Sequence, residues 1–566
     1  MYINLRPKKR EESREPIDPG RRCMNSNGTK HLSLKRLLIL SGIAAAVFMV
    51  FRPTLSLPFF WDDQFIIRSN HRLENPWNIF RAFYDQEVTV GGLGSLAAEI
   101  YRPLRTVLFI LVVSLFGKSP GAFHAVALSM HLAVTYGLFS AMRKTDKRLG
   151  ATAGWLSLAF LFHPVHLENL NAAFGVADIL GALFFLGALG CVPGNGEGKI
   201  RGAKPLAIAA FCYLAMLSKE SLVPAPLVLF LLFPGRLEKR GWAAVLFTIP
   251  VYLLQRWAVV RALGQTRLDM GAAEHAMYVF QTFRGYLELF VNPASLSQVY
   301  LPPSPLLSWK NACAFFLFVF FTAAFIMLLR RRRIFLGSEY AALTVSLLPV
   351  LNLVPINTFI NDRLLYFPSL VIVYCLFRVI RKTFAGGSPG ISRRVFRTAL
   401  VFWVAGLAAL AWHRNREWSR PELIWEKSWR RTGRPIALWN MTVSLWERER
   451  YAPLLDFYSE NPVSLPVNYH PYYYRILCVS AGRLGRADDF VFYYRAFENA
   501  LSRNPGVVFD AVSADEFERE LEALSLPPSK DVLERYRRLK KAGKTTPVSE
   551  NESGGGNAFE DAASSS

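Results

Sequence analysis

Acidic residues are scarce in this sequence beside basic ones: 43 Asp and Glu stand against 66 Lys and Arg, a net charge of +23. In a soluble chain such an excess points to nucleic acid. Here the basic residues fall in short segments between apolar runs, so they read as topology signals facing anionic lipid, and no nucleic-acid partner is expected. Cysteine is sparse as well. Cys23, Cys191, Cys212, Cys313, Cys375 and Cys478 show no paired spacing and lie mostly in apolar runs. That excludes a disulfide framework and a cysteine metal site. No cleavable leader is expected either. Met1–Lys30 is polar and basic, and the first apolar run reads as a retained anchor. What is abundant is apolar: 52% of residues are hydrophobic and the mean hydropathy is +0.21. This is the composition of a polytopic helical membrane protein with a polar appendage.

About 20 apolar residues cross the hydrocarbon core. Runs at Leu34–Val50, Phe123–Met142, Ala151–Phe162, Phe174–Val192, Pro205–Leu217, Leu222–Phe233, Trp242–Val260, Trp309–Leu329, Tyr340–Pro355, Tyr366–Ile380 and Ala399–Trp412 predict about eleven spans. Basic clusters at 143–148, 199–204, 236–240, 330–333 and 381–394 then fall on one face with the N-terminal tail. By the positive-inside rule that face is cytoplasmic, and the C-terminal part lies outside. Leu104–Phe116 is short and His275–Val291 is amphipathic. The first reads as a helix lying in the interface, and the second as interfacial or re-entrant. The expected domains are a disordered basic tail (1–33), a transmembrane core (34–412) with outer loops at about 52–122 and 261–308, an extracytoplasmic helical region (413–541), and a disordered tail (542–566). Within 413–541, Ala481, Leu484, Phe497, Ala500 and Pro505 fit one degenerate tetratricopeptide unit; a plain array of helical hairpins is the alternative.

Under this topology the polar clusters that interrupt apolar runs share the outer side. Asp62 and Asp63 follow an aromatic belt and read as a general base and its partner, because a hydroxyl is a weak nucleophile until a carboxylate takes its proton. Arg102 and Arg105, three apart on one helical face, suit either lipid headgroups or a lipid-linked phosphate. His163, His166 and Glu168 end a span at Pro164. Their spacing matches no standard zinc motif, so hydrogen bonding to a phosphate or sugar is favoured over a divalent metal. Asp178 lies one turn into the next span. Lys219 suits a phosphate or a snorkelling role. Arg363 opposes the positive-inside bias, and an ionised side chain within the bilayer costs roughly 2.5–3.5 kcal/mol on insertion scales unless it is partnered.

Taken in order, these residues resemble the TMTC-type membrane glycosyltransferases of the GT-C group. The resemblance is carried by Phe60-Trp61-Asp62-Asp63 with Ile67 and Asn70, Tyr101-Arg102-Pro103-Leu104, Phe123-His124 with Leu128, His131 and Phe139, His163-Pro164-Val165-His166-Leu167-Glu168 followed by Gly175-Val176-Ala177-Asp178, Ser218-Lys219-Glu220, and Asp362-Arg363-Leu364-Leu365-Tyr366-Phe367-Pro368-Ser369. It departs from that family in its short, degenerate repeat region and in Val176, where such sequences often carry Arg. The resemblance implies a GT-C fold and a polyprenyl-phosphate sugar as donor. It further implies inverting transfer to a hydroxyl outside the cytoplasm, with a carboxylate in the first outer loop as base. Mannose onto Ser or Thr is the usual eukaryotic case. Transfer to a lipid or glycan, flipping of a lipid-linked sugar, and a non-catalytic scaffold remain as other readings of the same residues.

Overall fold

The computed structural model describes residues 26–541 apart from 92–99, 193–199, 201, 261–269, 304, 332–336, 357, 386–392, 462–469, 504–510 and 525–526. Both expected tails, most of the basic cluster at 199–204, and Pro505 of the expected repeat therefore lie wholly or partly outside the described residues. The chain divides into two units, Met1–Arg52 and Pro53–Ser566. The described part of the first is the helix Ser26–Phe51.

Among the described residues every regular element is helical, and no strand occurs. Among the described residues six helices are long and apolar enough to cross a membrane: Leu37–Ser56, Pro120–Thr145, Ala173–Cys191, Lys239–Val260, Asp362–Phe384 and Val395–Trp418. This is a multi-pass membrane protein. Each of the six matches an apolar run of the sequence. The other five runs are also helical, at Gly150–Leu161, Lys204–Ser218, Ala225–Leu232, Trp309–Arg331 and Gly337–Leu347. Several are short for a physical reason. Gly150–Leu161 has 12 residues and so rises about 18 Å, against a hydrocarbon core of roughly 30 Å. It stops at Pro164, which lacks an N–H and cannot continue the ladder. The run expected to continue to Pro355 ends as a helix at Leu347, just before Pro349. Polar side chains collect where these short helices end.

The helix Val176–Cys191 packs against both Pro120–Thr145 and Lys204–Ser218. Gly175 at its start is needed for close approach, since a Cβ there would lie 2.6 Å from the Asn169 Cα. The helix Ala272–Val291 turns Tyr278, Tyr286 and Leu289 into a core with Val165, Leu347, Val350, Phe359, Ile360 and Leu365. It leaves Arg284 and Glu288 exposed, as its amphipathic pattern predicts.

The helix Arg393–Trp418 runs without a break through the expected 412/413 boundary. Among the described residues seven further helices follow, beginning with Pro421–Thr432 and Pro435–Trp446. His470–Arg483 and Ala487–Arg503 pair as a hairpin. Within it Ala481, Phe497 and Ala500 are buried, whereas Leu484 is exposed.

Candidate active site

The acid pair splits into two environments. Asp63 is fully buried. Its carboxylate accepts backbone N–H bonds from Ala173 at 2.8 Å, Phe174 at 2.8 Å and Phe60 at 3.2 Å. Burial pushes the Asp63 carboxyl up to about 7, while the three N–H donors pull the other way. Asp62 is half-buried, and its carboxylate makes no side-chain hydrogen bond or ion pair to the described residues. The local backbone is unusual: Trp61 has φ +49°, in the left-handed region that bulky residues avoid.

The turn that Asp63 clasps leads into a network of ions. The Arg363 guanidinium lies 4.7 Å over the Phe174 ring. Its Nη1 donates to Glu168 Oε1 at 2.9 Å, and its backbone N–H to Glu168 Oε2 at 3.2 Å. Asn169 donates through Nδ2 to Asp178 Oδ2 at 3.1 Å and to the Arg363 carbonyl at 3.3 Å. Asp178 pairs with Lys219, both almost fully buried. The next residue, Glu220, takes a bidentate bond from Arg102 Nε, at 2.9 Å, and Nη2. Arg102 and Arg363 both lie within electrostatic reach of Asp178. Asp63, Glu168, Asn169, Asp178, Lys219 and Arg363 thus form one connected set through the turn at 173–174, and the Arg102–Glu220 pair adjoins it through the chain at 219–220. Its cations differ in access: the side chains of Arg102 and Arg363 keep 16% and 21% exposure, whereas Lys219 keeps 3%.

Arg105 is buried beneath this cluster. It donates to the Thr89 carbonyl at 2.9 Å, lies over Phe109, and leaves its Nε without a partner. Arg102, Glu220, Asp62 and Asp63 all lie within its electrostatic reach.

The two histidines are engaged by protein groups. His163 Nε2 donates to the Phe290 carbonyl at 2.9 Å, its Nδ1 accepts from the Val165 N–H at 3.3 Å, and its ring stacks on Phe290. Burial holds His163 down to about 4, so it is neutral at physiological pH. His166 donates Nδ1–H to the Phe160 carbonyl at 2.9 Å, and its Nε2 lies 2.8 Å from the Ser369 hydroxyl. Burial, with His131 and His163 beside it, keeps His166 well below its ordinary range. Among the described residues, no three His, Cys, Asp or Glu side chains converge as metal ligands do.

Three participants were not on the sequence-derived roster. Asn169 directly follows Glu168, and that adjacency was its only signal; Glu220 stands inside the Ser218-Lys219-Glu220 motif but was given no role there. Tyr300, whose hydroxyl donates to Asp362 and accepts from the Ser297 N–H, comes from the second expected outer loop, and nothing in the sequence marked it.

An all-helical, multi-pass membrane protein with a connected ion cluster at the ends of its short helices is the class that fold and site define. No protein-family profile matches the chain, and no solved structure matches it. Among characterised proteins, it is 34% identical over 158 residues to the human protein O-mannosyl-transferase TMTC2, covering 27% of this chain and 18% of that protein. It is 30% identical over 193 residues to human TMTC1, 32% of this chain and 21% of the relative. To human TMTC3 it is 26% identical over 194 residues, 34% of this chain and 20% of the relative. Over about a quarter to a third of its length, the chain is a distant homologue of the TMTC protein O-mannosyl-transferases. The match spans about a fifth of the length of those relatives.

Proposed function

We propose that this protein is an inverting membrane glycosyltransferase of GT-C type. It moves a sugar, mannose by analogy with its relatives, from a polyprenyl phosphate to a Ser or Thr hydroxyl of a protein on the extracytoplasmic side. In this reading about eleven spans form the core at 34–412. The N-terminal tail is cytoplasmic, and 413–541 is an extracytoplasmic helical region of tetratricopeptide type. The observation that carries the proposal is an Asp62 carboxylate with no hydrogen bond to the described residues, next to Asp63, which clasps the turn at 173–174 that meets Arg363, while Arg102 and Arg363 keep 16% and 21% of their side chains exposed. Homology to the mannosyltransferases supports the same reading.

The chemistry then divides among the residues. Asp62 takes the acceptor hydroxyl proton as its oxygen bonds to the anomeric carbon. The bond from that carbon to the phosphate oxygen breaks, and the lipid phosphate leaves with the electron pair. The phosphate needs charge stabilisation more than a proton, so positive charge suffices on that side. Arg102 and Arg363 contact the phosphate, because each keeps part of its side chain exposed and has N–H donors beyond those given to Glu220 and Glu168. Guanidinium forks suit such an oxyanion. Glu168, Asp178, Lys219 and Arg105 hold the cluster in shape. Asp63, His163 and His166 fix the backbone around it.

The test uses purified protein with dolichyl-phosphate mannose and a Ser/Thr peptide, read by mass spectrometry for an added hexose. Arg363→Ala is expected to weaken donor binding about 10- to 100-fold, since a hydrogen bond to a charged group contributes roughly 1.5–3 kcal/mol. Unchanged donor affinity removes Arg363 from the phosphate site. Hexose transfer to a glycan but not to the peptide overturns the protein acceptor. Flipping of the donor without transfer overturns the enzyme.

A further inference from the structure

We infer that Trp425, on the helix Pro421–Thr432 beyond the last apolar run, is a positioning residue for the acid pair. The inference rests on the reading of Asp62 as the base. Trp61 holds φ +49°, a conformation that a bulky residue keeps only where its surroundings over-determine it. Its ring meets the Trp425 indole edge-on, with centroids 5.3 Å apart and planes at 89°. Phe60 stacks on the same indole at 5.6 Å and 5°, and Trp418 closes on Phe60 at 4.8 Å. Trp425 itself is 1% exposed. One indole therefore fixes the two residues before Asp62. The N–H bonds from Ala173 and Phe174 to Asp63 fix the residue after it. Asp62 is held between two anchors while its own carboxylate stays unengaged.

The same helix also holds the other expected outer loop. Three residues past Trp425, on the same helical face, Ser428 Oγ lies 3.1 Å from Ser297 Oγ and accepts the Gln298 N–H at 3.3 Å. Arg431 Nη1 donates to the Ser295 carbonyl at 2.9 Å. One helix outside the apolar core thus braces residues 60–61 and 295–298. The second of these segments leads to Tyr300, which bonds Asp362 beside Arg363. A base carboxylate displaced by about 1 Å loses on the order of a hundredfold in rate, so this brace sets turnover without touching substrate.

The experiment compares full-length wild type, Trp425→Ala, Trp425→Phe and Leu423→Ala, the last an exposed position on the same helix. Two quantities are read: hydrogen exchange of the amides at 58–66, and kcat and KM with dolichyl-phosphate mannose. Trp425→Ala is expected to speed exchange of that loop about tenfold or more. It is expected to lower kcat about tenfold or more, with donor KM within about twofold. Trp425→Phe restores most of both, and Leu423→Ala changes neither. Unchanged loop exchange in Trp425→Ala overturns the inference, and so does faster exchange with unchanged kcat. Asp62→Asn in the same assay separates the two ideas. If Asp62→Asn keeps turnover while Trp425→Ala loses it, the base assignment fails and the brace stands. If Asp62→Asn loses turnover while Trp425→Ala keeps it, only the brace fails.

Discussion

Asp62→Asn is expected to lower turnover about a hundredfold or more, while the protein still inserts and still binds donor. Asn keeps the size and polarity of the side chain but cannot accept the proton. The structure distinguishes the two acids that the sequence left equivalent. A base needs a lone pair free to meet the acceptor hydroxyl, and Asp63 has given both oxygens to backbone N–H groups. Asp62 has not. Asp63→Asn is therefore expected to act through the backbone: its amide nitrogen cannot accept one of those N–H bonds, so the loop loosens and kcat falls less than in Asp62→Asn.

The raised value of Asp63 adds a pH signature. Below about 7 its carboxyl is protonated, and one oxygen loses its full acceptor role towards Ala173 or Phe174. Wild-type turnover is expected to fall as pH drops through about 7, with Asp63→Asn lacking that limb. The stability contribution of this group runs the opposite way. A folded value raised from 3.8 to about 7 means that the folded chain binds the proton more tightly. Stability from Asp63 is thus full below its unfolded value and declines as pH rises towards about 7. A pH–rate profile with thermal unfolding at matched pH reads both. Full turnover in Asp62→Asn sinks the carboxylate-base mechanism.

The helical class and six of the expected spans were legible because apolar runs of membrane length have few other uses. The short helices were less legible. Hydropathy marks where the chain is apolar, but Pro164 and Pro349 decide where the helical ladder stops, and so which polar residues sit at its end. The sequence grouped residues as far apart as Asp63 and Arg363 by one topology, and in the fold Asp63 clasps the turn whose Phe174 ring lies under the Arg363 guanidinium. Their pairings were not. Periodicity cannot show that Lys219, extended between the helix end at Ser218 and the next helical turn, reaches Asp178 while Glu220 meets Arg102. Nor can it show that His163 and His166 spend their nitrogens on two carbonyls, a backbone N–H and a hydroxyl. The contact between Phe60, Trp61 and Trp425 spans more than 360 residues of chain, and only tertiary packing reveals it.

Asp178→Ala is expected to destabilise the protein by about 3–5 kcal/mol, the usual effect of leaving a buried charge without its partner. Asp178 and Lys219 are both nearly inaccessible, so water cannot take over the lost interaction. Asn169 Nδ2 loses its acceptor at the same time. Against a total stability of roughly 5–15 kcal/mol the change is large, and it is read as loss of monodisperse protein on extraction and an earlier thermal transition. Unaltered stability would mean that the Lys219 ammonium has swung to Glu220, and Arg102 would then lose its counter-ion. The double variant Asp178→Leu with Lys219→Met separates fold from chemistry. Replacing a buried ion pair with apolar side chains of similar volume is often neutral or stabilising, so folding is expected to recover. Donor binding is not expected to recover fully. Asp178 lies within electrostatic reach of both Arg102 and Arg363, and removing the pair changes the field in which those two guanidinium groups meet the phosphate. Recovery of folding together with full donor affinity would make the pair a device of the fold alone. It would leave Arg102 and Arg363 as the whole of the phosphate site.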